Sequence, residues 1–322
     1  MVNNKLCIYL DQFAITDLME SEKGEYWFEI KELLLKGYEN GVLFCPLSPE
    51  HYLETSKKDY VSAKEHDLFF TKLSDGYSLK PELFITSQLI SSRIRKNKIT
   101  QKTYMHSNVG GVFENEKNYL TFNKANDDFG YLIDKGTESI NSLRKITNGQ
   151  KTKSDIKNQM FKILKKMQSK SFIERLTKLQ KNQQLMIRGD QFGEKEVPNW
   201  IDLIIDQLLK KHKFSNKEIR KLILEFKNNG FDNIPTLNIR ATLETIASIY
   251  SKKTTPNDQI DFMRIINGLP ISDIFLTDKK RKNEILESEL DIKYNTKVFS
   301  GVKEDLIRLI EELKQYRTIS DH

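Results

Sequence analysis

The sequence predicts an α/β protein whose parallel sheet is flanked by helices and interrupted by a mostly α-helical insertion. Two observations predict this class. At both ends of the 322-residue chain, short apolar runs of strand length alternate with helical patterns, as they do when helices connect parallel strands. The middle of the chain has helical periodicity and an excess of basic residues. We therefore expect half of an α/β domain in 1–75, the insertion in 76–235 and the second half in 236–322.

The first segment begins with KLCIYL (5–10), an apolar run that predicts a strand, and a helix follows Asp11. A second helical pattern, YWFEIKELLLKGYENG, ends at Gly41, which suits a helix C-cap. VLFC (42–45) predicts the second strand. Ser48 and Pro49 then predict a helix start, because Ser caps helices and Pro fits the first turn.

The insertion has helical periodicity over 125–147, 155–187, 197–213 and 215–229, with no convincing strand between these segments. The stretch 98–124 has no period, which predicts either an ordered loop or a partly disordered segment. Two cysteines in apolar strand-like runs are expected to be buried hydrophobes. The histidines lack zinc-binding spacing.

The last segment returns to the alternating pattern. TLNIRATLETIASIYSK (236–252) predicts a helix, and Asn257 or Asp258 is expected to cap the next helix, which ends at Gly268. DIFLT (273–277) predicts a strand and DKKRKNEILESEL a helix. KVF (297–299) predicts a short strand before the final helix, VKEDLIRLIEELKQY. Strands separated by helices favour parallel pairing.

Composition indicates a cytoplasmic protein with no membrane segment. The chain is 38% hydrophobic, but it contains no run of about 18 apolar residues. Asp11 interrupts the first apolar run too early for a signal peptide.

Charge is distributed unevenly. The net charge is +7, but residues 76–235 contain 30 Lys and Arg against 17 Asp and Glu, whereas the flanks contain 22 against 28. A basic segment beside an acidic body suits a nucleic acid. The predicted phosphate-binding residues are Arg93, Arg95, Lys96, Lys98, Lys162, Lys165 and Lys166. The alternative is a lysine-rich surface that reflects codon usage alone.

Acidic residues stand beside the predicted strands at four places: Asp11, Glu50 with Glu54, Asp258 with Asp261, and Asp278. Side chains beyond the carboxyl ends of parallel strands meet in one crevice. Carboxylates gathered there repel one another unless cations lie between them, and Mg²⁺ and Mn²⁺ prefer such oxygen ligands. The alternative is that Asp11 and Asp258 cap helices and that Glu50 interacts with a helix dipole.

Three pieces of the sequence together resemble the PIN-domain nucleases: IYLDQF, then LFCPLSPEHYLE, then DFMRIINGLPISDIFLTDK. The resemblance covers 1–75 and 236–322. The spacing typical of the family selects Glu54 over Glu50, and it selects Asp261, sixteen residues before Thr277.

The resemblance implies a PIN-like sheet and a Mg²⁺- or Mn²⁺-dependent endonuclease that acts on RNA in preference to DNA. Asp11, Glu54, Asp261 and Asp278 are then the catalytic metal ligands, and Glu50 and Asp258 are additional candidate ligands. Independently of the resemblance, Thr277 is expected to orient Asp278 by a hydrogen bond, and Ser48 is a further supporting residue. The chain is thus expected to be an endoribonuclease, as in toxins or defence effectors, and a homodimer and an inhibitor or partner protein are compatible with this expectation.

Two other functions remain open. A flap-type DNA nuclease would use the same acids, but those proteins usually carry a Gly-rich helix-hairpin-helix element, which this sequence lacks. A non-catalytic scaffold that binds nucleic acid or protein on a PIN-like fold is the other alternative. Acids at all four places favour catalysis over a decayed site.

Overall fold

A computed structural model describes residues 5–147, 154–182, 189–192, 195–198, 200–249 and 254–318. Its strands are β1 Leu6–Leu10, β2 Leu43–Phe44, β3 Ser78–Leu79, β4 Met105–His106, β5 Gly189–Phe192, β6 Lys195–Pro198, β7 Ile274–Leu276 and β8 Lys297–Phe299. Its helices are α1 Gln12–Glu20, α2 Tyr26–Glu39, α3 Pro49–Thr55, α4 Tyr60–Leu73, α5 Glu82–Arg95, α6 Gln101–Tyr104, α7 Glu116–Thr147, α8 Ser154–Asn182, α9 Trp200–Lys210, α10 Asn216–Asn229, α11 Pro235–Ile249, α12 Pro256–Gly268, α13 Lys279–Glu287, α14 Leu290–Tyr294 and α15 Lys303–Thr318, with a 3-10 turn at Leu269–Ile271.

The chain divides into two compact units. The first comprises Met1–Lys80, Tyr104–Asp128 and Asn267–His322, and the second comprises Pro81–Thr103 and Phe129–Ile266. Residues 236–266, which the sequence predicts as part of the second half of the α/β domain, are thus grouped with the second unit. Residues 104–128 are grouped with the first.

The first unit contains a four-stranded parallel sheet in the order β2-β1-β7-β8. This confirms the predicted α/β class and its flanking helices. Every residue of β1 is buried, as expected for a central strand covered on both faces. Only Leu43 and Phe44 of the predicted strand 42–45 form β2.

The core of the first unit lies between the sheet and its helices. Leu6, Ile8 and Leu10 of β1 pack with Ile15 and Leu18 of α1 in one buried cluster. Helices α2 and α15 pack against each other and contribute further apolar side chains to the same cluster. Each fully buried side chain of this kind stabilises the fold by about 1.5–3 kcal/mol.

The second unit is mainly helical. α8 packs against α10 and α11, and α5 packs against α9. The predicted absence of strands is wrong, because β5 and β6 form an antiparallel hairpin with Asp190 opposite Val197. Its strands are largely polar and therefore lack the alternation that reveals a half-buried strand in sequence.

Several predicted boundaries shift. The predicted loop 98–124 contains α6, β4 and the start of α7, so α7 begins at Glu116 and not at residue 125. The predicted helix 197–213 begins at Trp200, after β6. The helix after DIFLT is split into α13 and α14 by Glu289, whose φ is 56°. Residues 183–187 and 250–252 of two other predicted helices lie outside the described residues.

The described helices include none that is long and apolar enough to cross a membrane.

Candidate active site at the sheet edge

Asp11 and Thr277 lie side by side at the carboxyl edge of the sheet. Leu10 of β1 pairs with Leu276 of β7, and the next residues of the two strands are Asp11 and Thr277. The backbone N–H of Asp11 donates to the Leu276 carbonyl at 3.0 Å. The Thr277 hydroxyl donates to Asp11 Oδ2 at 3.1 Å. Residues 266 positions apart in sequence thus share one hydrogen bond. The sequence predicts that Thr277 bonds to Asp278, and the hydrogen bond found here is to Asp11.

Asp11 is also the N-cap of α1. Its Oδ1 accepts from the Gln12 backbone N–H at 2.7 Å, and the side chain is buried, with 4% exposed. The positive end of the α1 dipole favours the ionised carboxylate. The capping role that the sequence leaves open therefore exists, and it orients the carboxylate next to Thr277.

Helix α3 is tied to the end of β1 by His51. The Ser48 backbone N–H donates to His51 Nδ1 at 3.0 Å, so the ring proton is on Nε2, which donates to the Leu10 carbonyl at 2.8 Å. His51 takes the place of the Glu or Gln that usually returns a hydrogen bond to the helix N-cap. Ser48 is that N-cap, as predicted.

Aromatic rings form one wall beside these residues. Tyr9 is fully buried, and its ring stacks on Phe275 with centroids 4.7 Å apart and on His51 with centroids 5.3 Å apart. The Tyr9 hydroxyl lies 3.2 Å from Ser48 Oγ. The wall restricts the movement of α3 relative to β1 and β7, because close-packed rings leave little room.

Glu50 is the more deeply buried acid of α3. Only 1% of it is exposed, and its Oε1 accepts from Asn267 Nδ2 at 3.3 Å. Asn267 comes from the last turn of α12, next to Gly268. A Cβ atom on Gly268 would be 2.8 Å from the Tyr9 ring and 2.9 Å from the Phe275 ring. The glycine thus allows the end of α12 to approach β1 and β7 closely, which brings Asn267 to Glu50.

The other predicted acids of the first unit are placed differently. Glu54, one turn after Glu50, is half-buried. Asp278 follows Thr277 and is the N-cap of α13, since its Oδ1 accepts from the backbone N–H groups of Lys280 at 2.7 Å and Arg281 at 3.0 Å.

Asp258 and Asp261 belong to the second unit. Asp258 Oδ2 accepts from the Thr255 backbone N–H at 2.6 Å and from the Thr255 hydroxyl at 2.8 Å. Thr255 Oγ1 in turn accepts from the Asp258 backbone N–H at 3.3 Å, so Thr255 caps α12. The predicted cap at Asn257 or Asp258 is wrong, because the helix already begins at Pro256. Asp261 Oδ1 is 3.4 Å from Arg264 Nη1. A guanidinium at that distance competes with a cation for the carboxylate.

The donor set of the first unit suits a hard cation. Asp11, Glu50, Thr277 and Asn267 offer oxygen atoms only, the ligands that Mg²⁺ and Mn²⁺ prefer. Two buried amide oxygens of this unit, Gln12 Oε1 and Asn267 Oδ1, have no hydrogen-bond partner among the described residues. A cation or a water molecule would satisfy such oxygens.

Carboxylates alone are too few to define a metal centre here. Within the described ranges, no group of three or more His, Cys, Asp or Glu side chains is placed to hold a metal ion. The amide and hydroxyl oxygens would have to complete the coordination.

Several predicted phosphate-binding residues already have acidic partners in the second unit. Arg93 Nε is 3.0 Å from Glu225, and Arg95 Nε is 2.7 Å from Glu218. The hydrogen bond from Arg95 and those from Ser215 lower the pKa of Glu218 to about 2. Lys165 pairs with Asp232 at 3.3 Å. Lys96, Lys98, Lys162 and Lys166 are exposed.

The sequence gives no sign of the roles of Asn267 and Gln12, whereas a capping or packing role is the ordinary expectation for His51 and is the one observed. Uncharged amides carry no signal in a search for acids, although Asn267 stands directly before the predicted helix end at Gly268. The sequence also gives no sign that Asp305 is buried. This residue is 1% exposed and accepts from Lys282 Nζ and from the Ser300 backbone N–H.

Comparison of the chain with protein-family models, with curated proteins and with solved structures gave no match.

Proposed function

We propose that the protein is a metal-dependent nuclease of the PIN-like type that hydrolyses phosphodiester bonds in RNA. The observation that carries the proposal is the pairing of Asp11 with Thr277 at the carboxyl edge of the sheet. Open α/β sheets bind their ligands at this edge. The preference for RNA comes from the sequence resemblance.

In this proposal Asp11 and Glu50 hold Mg²⁺ or Mn²⁺, with the oxygens of Gln12 and Asn267 as further donors. When bound, the cation supplies positive charge that stabilises the negative charge developing on the phosphate. Thr277 fixes the orientation of the Asp11 carboxylate by its hydrogen bond. Asn267 does the same for Glu50. Glu54, Asp258, Asp261 and Asp278 remain predicted ligands.

A second candidate is a nucleic-acid-binding protein without hydrolytic activity. The observation that favours it is that most of the predicted ligands have a structural role. Asp11 and Asp278 cap helices, Asp258 bonds to the cap residue Thr255, and Asp261 pairs with Arg264. Acids with such roles are retained in a fold whether or not a cation binds.

The test is cleavage of labelled single-stranded RNA and DNA with Mn²⁺, Mg²⁺ or EDTA. Wild-type protein should cleave RNA with either metal, and EDTA should abolish cleavage. Asp11→Asn should lower the rate by at least about two orders of magnitude, because metal ligands act as a unit. Asparagine can still accept the Gln12 N–H, so the helix cap is retained.

Asp59→Asn is the matched control. Asp59 caps α4 as Asp11 caps α1, accepting from the Ser62 N–H at 3.0 Å, but it is exposed. This variant should cleave as wild type does. Cleavage that survives both EDTA and Asp11→Asn would reject the nuclease proposal, and metal-independent binding without cleavage would support the second candidate.

A further inference from the structure

The second unit contains a groove between α8 and the turn that joins α10 to α11. Its volume is about 880 Å³, and residues 161–173 line one wall and residues 226–233 the other. We call it the α8 groove. Its lysines are Lys162, Lys165, Lys166, Lys170 and Lys227, against Asp232 as the acidic lining residue. The excess of positive charge suits a polyanion.

Packed aromatic rings join the two walls of the groove. Phe172, Phe226 and Phe231 are buried and pack edge-to-face, with centroid distances of 5.1 Å between Phe172 and Phe226 and 5.2 Å between Phe226 and Phe231. Phe172 and Phe231 are 6.1 Å apart. This triad packs α8 against α10 and the turn that follows it.

Two stripes run along the α8 wall. Lys162, Lys166 and Lys170 recur at four-residue intervals and so lie on one face, about 6 Å apart along the helix axis. This spacing is comparable with that between neighbouring phosphates of an extended single strand. Beside them, Ile163 and Met167 are 58% and 57% exposed. The opposite wall presents the exposed amides of the turn, Asn228, Asn229 and Asn233.

We infer that the α8 groove binds a single-stranded nucleic acid, with lysines on its phosphates and Ile163 and Met167 against its bases. A duplex offers phosphates but keeps its base faces stacked inside, so it would leave the exposed apolar pair without a contact. A single strand presents both groups. The inference rests on the proposed function only for the choice of a nucleic acid as the polyanion, and it names single strands as the substrate class.

Asp232 should oppose this binding. Its Oδ1 is 3.3 Å from Lys165 Nζ and also accepts from Asn238 Nδ2 at 2.7 Å. Asp232→Asn keeps an acceptor for Asn238 but removes a negative charge from the groove and releases Lys165. This change should tighten binding.

The experiment measures binding of labelled single-stranded RNA of mixed sequence, in EDTA so that no cleavage occurs, over a series of salt concentrations. Lys162→Gln/Lys166→Gln/Lys170→Gln should weaken affinity by about tenfold or more and reduce the salt slope by about 2, since each phosphate contact on a single strand contributes about 0.7. Ile163→Gln/Met167→Gln should weaken binding of the single strand but not of the same RNA annealed to its complement. Asp232→Asn should strengthen binding severalfold.

The matched control is Lys178→Gln/Lys217→Gln/Lys221→Gln. These exposed lysines belong to the same unit but do not line the groove, so their loss should change affinity less than the groove variant does. Glutamine is nearly as good a helix former as lysine, and circular dichroism checks that each variant folds.

Three results would overturn the inference. They are equal losses from the groove and control variants, an unchanged preference for single strands after Ile163→Gln/Met167→Gln, and tighter binding of a polyglutamate peptide than of RNA at the same lysines. The last would assign the groove to an acidic protein segment. Groove binding without cleavage would instead reject the proposed nuclease activity and leave the inference standing. Metal-dependent cleavage combined with RNA binding that the groove variants do not change would support the nuclease activity and reject the inference about the groove.

Discussion

The acidic residues of the first unit and the basic residues of the second are positioned by different interactions. At the sheet edge, strand pairing places Asp11 beside Thr277, and backbone N–H groups orient Asp11 and Asp278. In the second unit, ion pairs between helices engage the charged groups, as in Arg93 with Glu225 and Arg95 with Glu218.

Counts of charged residues therefore predict less about the second unit than strand ends predict about the first. Positions after a buried strand are fixed by the sheet, so the sequence predicts that Asp11 and Thr277 follow the ends of two strands. An excess of Lys and Arg predicts a charged surface but not which groups are available, because each basic residue can pair with an acid from a distant helix. Arg93 and Arg95 are examples, whereas Lys162 and Lys166 remain exposed.

Substitution of the two acids of α3, Glu50 and Glu54, should have very different effects on the cleavage rate. Glu50→Gln should lower metal-dependent cleavage by about two orders of magnitude, whereas Glu54→Gln should lower it only a few fold. The reason is that Glu50 is buried against Asn267, while Glu54 is half-buried. Initial rates at several Mn²⁺ concentrations measure both. A larger loss from Glu54→Gln would instead favour the ligand that the family spacing selects.

A smaller loss of cleavage is expected when the Thr277 hydroxyl, which orients Asp11, is removed. Thr277→Val keeps the side-chain shape but removes the donor to Asp11 Oδ2, so cleavage should fall about tenfold and half-maximal activity should need more Mn²⁺. Thr277→Ser restores the donor and should restore most of the activity. Equal activity of the valine variant and wild type would show that the hydrogen bond has no part in catalysis.

A stability effect is expected at Asp305, which is not one of the proposed ligands. Burial would raise the pKa of this carboxyl, but the hydrogen bonds from Lys282 and Ser300 outweigh it and lower the pKa below its usual value. Its contribution is therefore full above the unfolded pKa of about 3.9 and is lost as the pH falls through the folded pKa.

Asp305→Asn should lower the free energy of unfolding by about 2 kcal/mol near neutral pH, because Lys282 loses its partner. At about pH 3 the variant and wild type should differ less. Urea unfolding at the two pH values measures this. A difference that stays constant with pH would contradict the assigned role of the charge.

A small effect is expected from the two arginines of α5 that already have acidic partners. Arg93→Gln/Arg95→Gln should change the affinity for single-stranded RNA by less than about twofold, since both arginines already have acidic partners. It should cost less than about 1 kcal/mol of stability, because exposed ion pairs contribute little. A loss of RNA affinity as large as that expected for the groove lysines would instead show that these arginines bind RNA.

The sequence predicts the α/β class and the main strands because buried strands are continuous apolar runs bounded by recognisable caps. Ser48 and the strand ends at Asp11 and Thr277 follow from such local signals. The sequence does not predict the role of Asn267, because this uncharged amide acquires its role only through the tertiary contact with Glu50. The polar hairpin β5–β6 and the two-residue strands β3 and β4 have too few apolar positions to show a period.

The absence of a side chain at Gly268 lets the backbone at Asn267 and Gly268 lie close to β1 and β7. A side chain at position 268 would collide with the rings of Tyr9 and Phe275, so Gly268→Ala should lift the helix end and draw the Asn267 amide away from Glu50. Catalytic efficiency would then decline although every polar group is intact, and a shifted Mn²⁺ titration of cleavage would reveal it. The distance between Asn267 and Glu50 thus depends on the close contact of the Tyr9 and Phe275 rings with the backbone of Gly268.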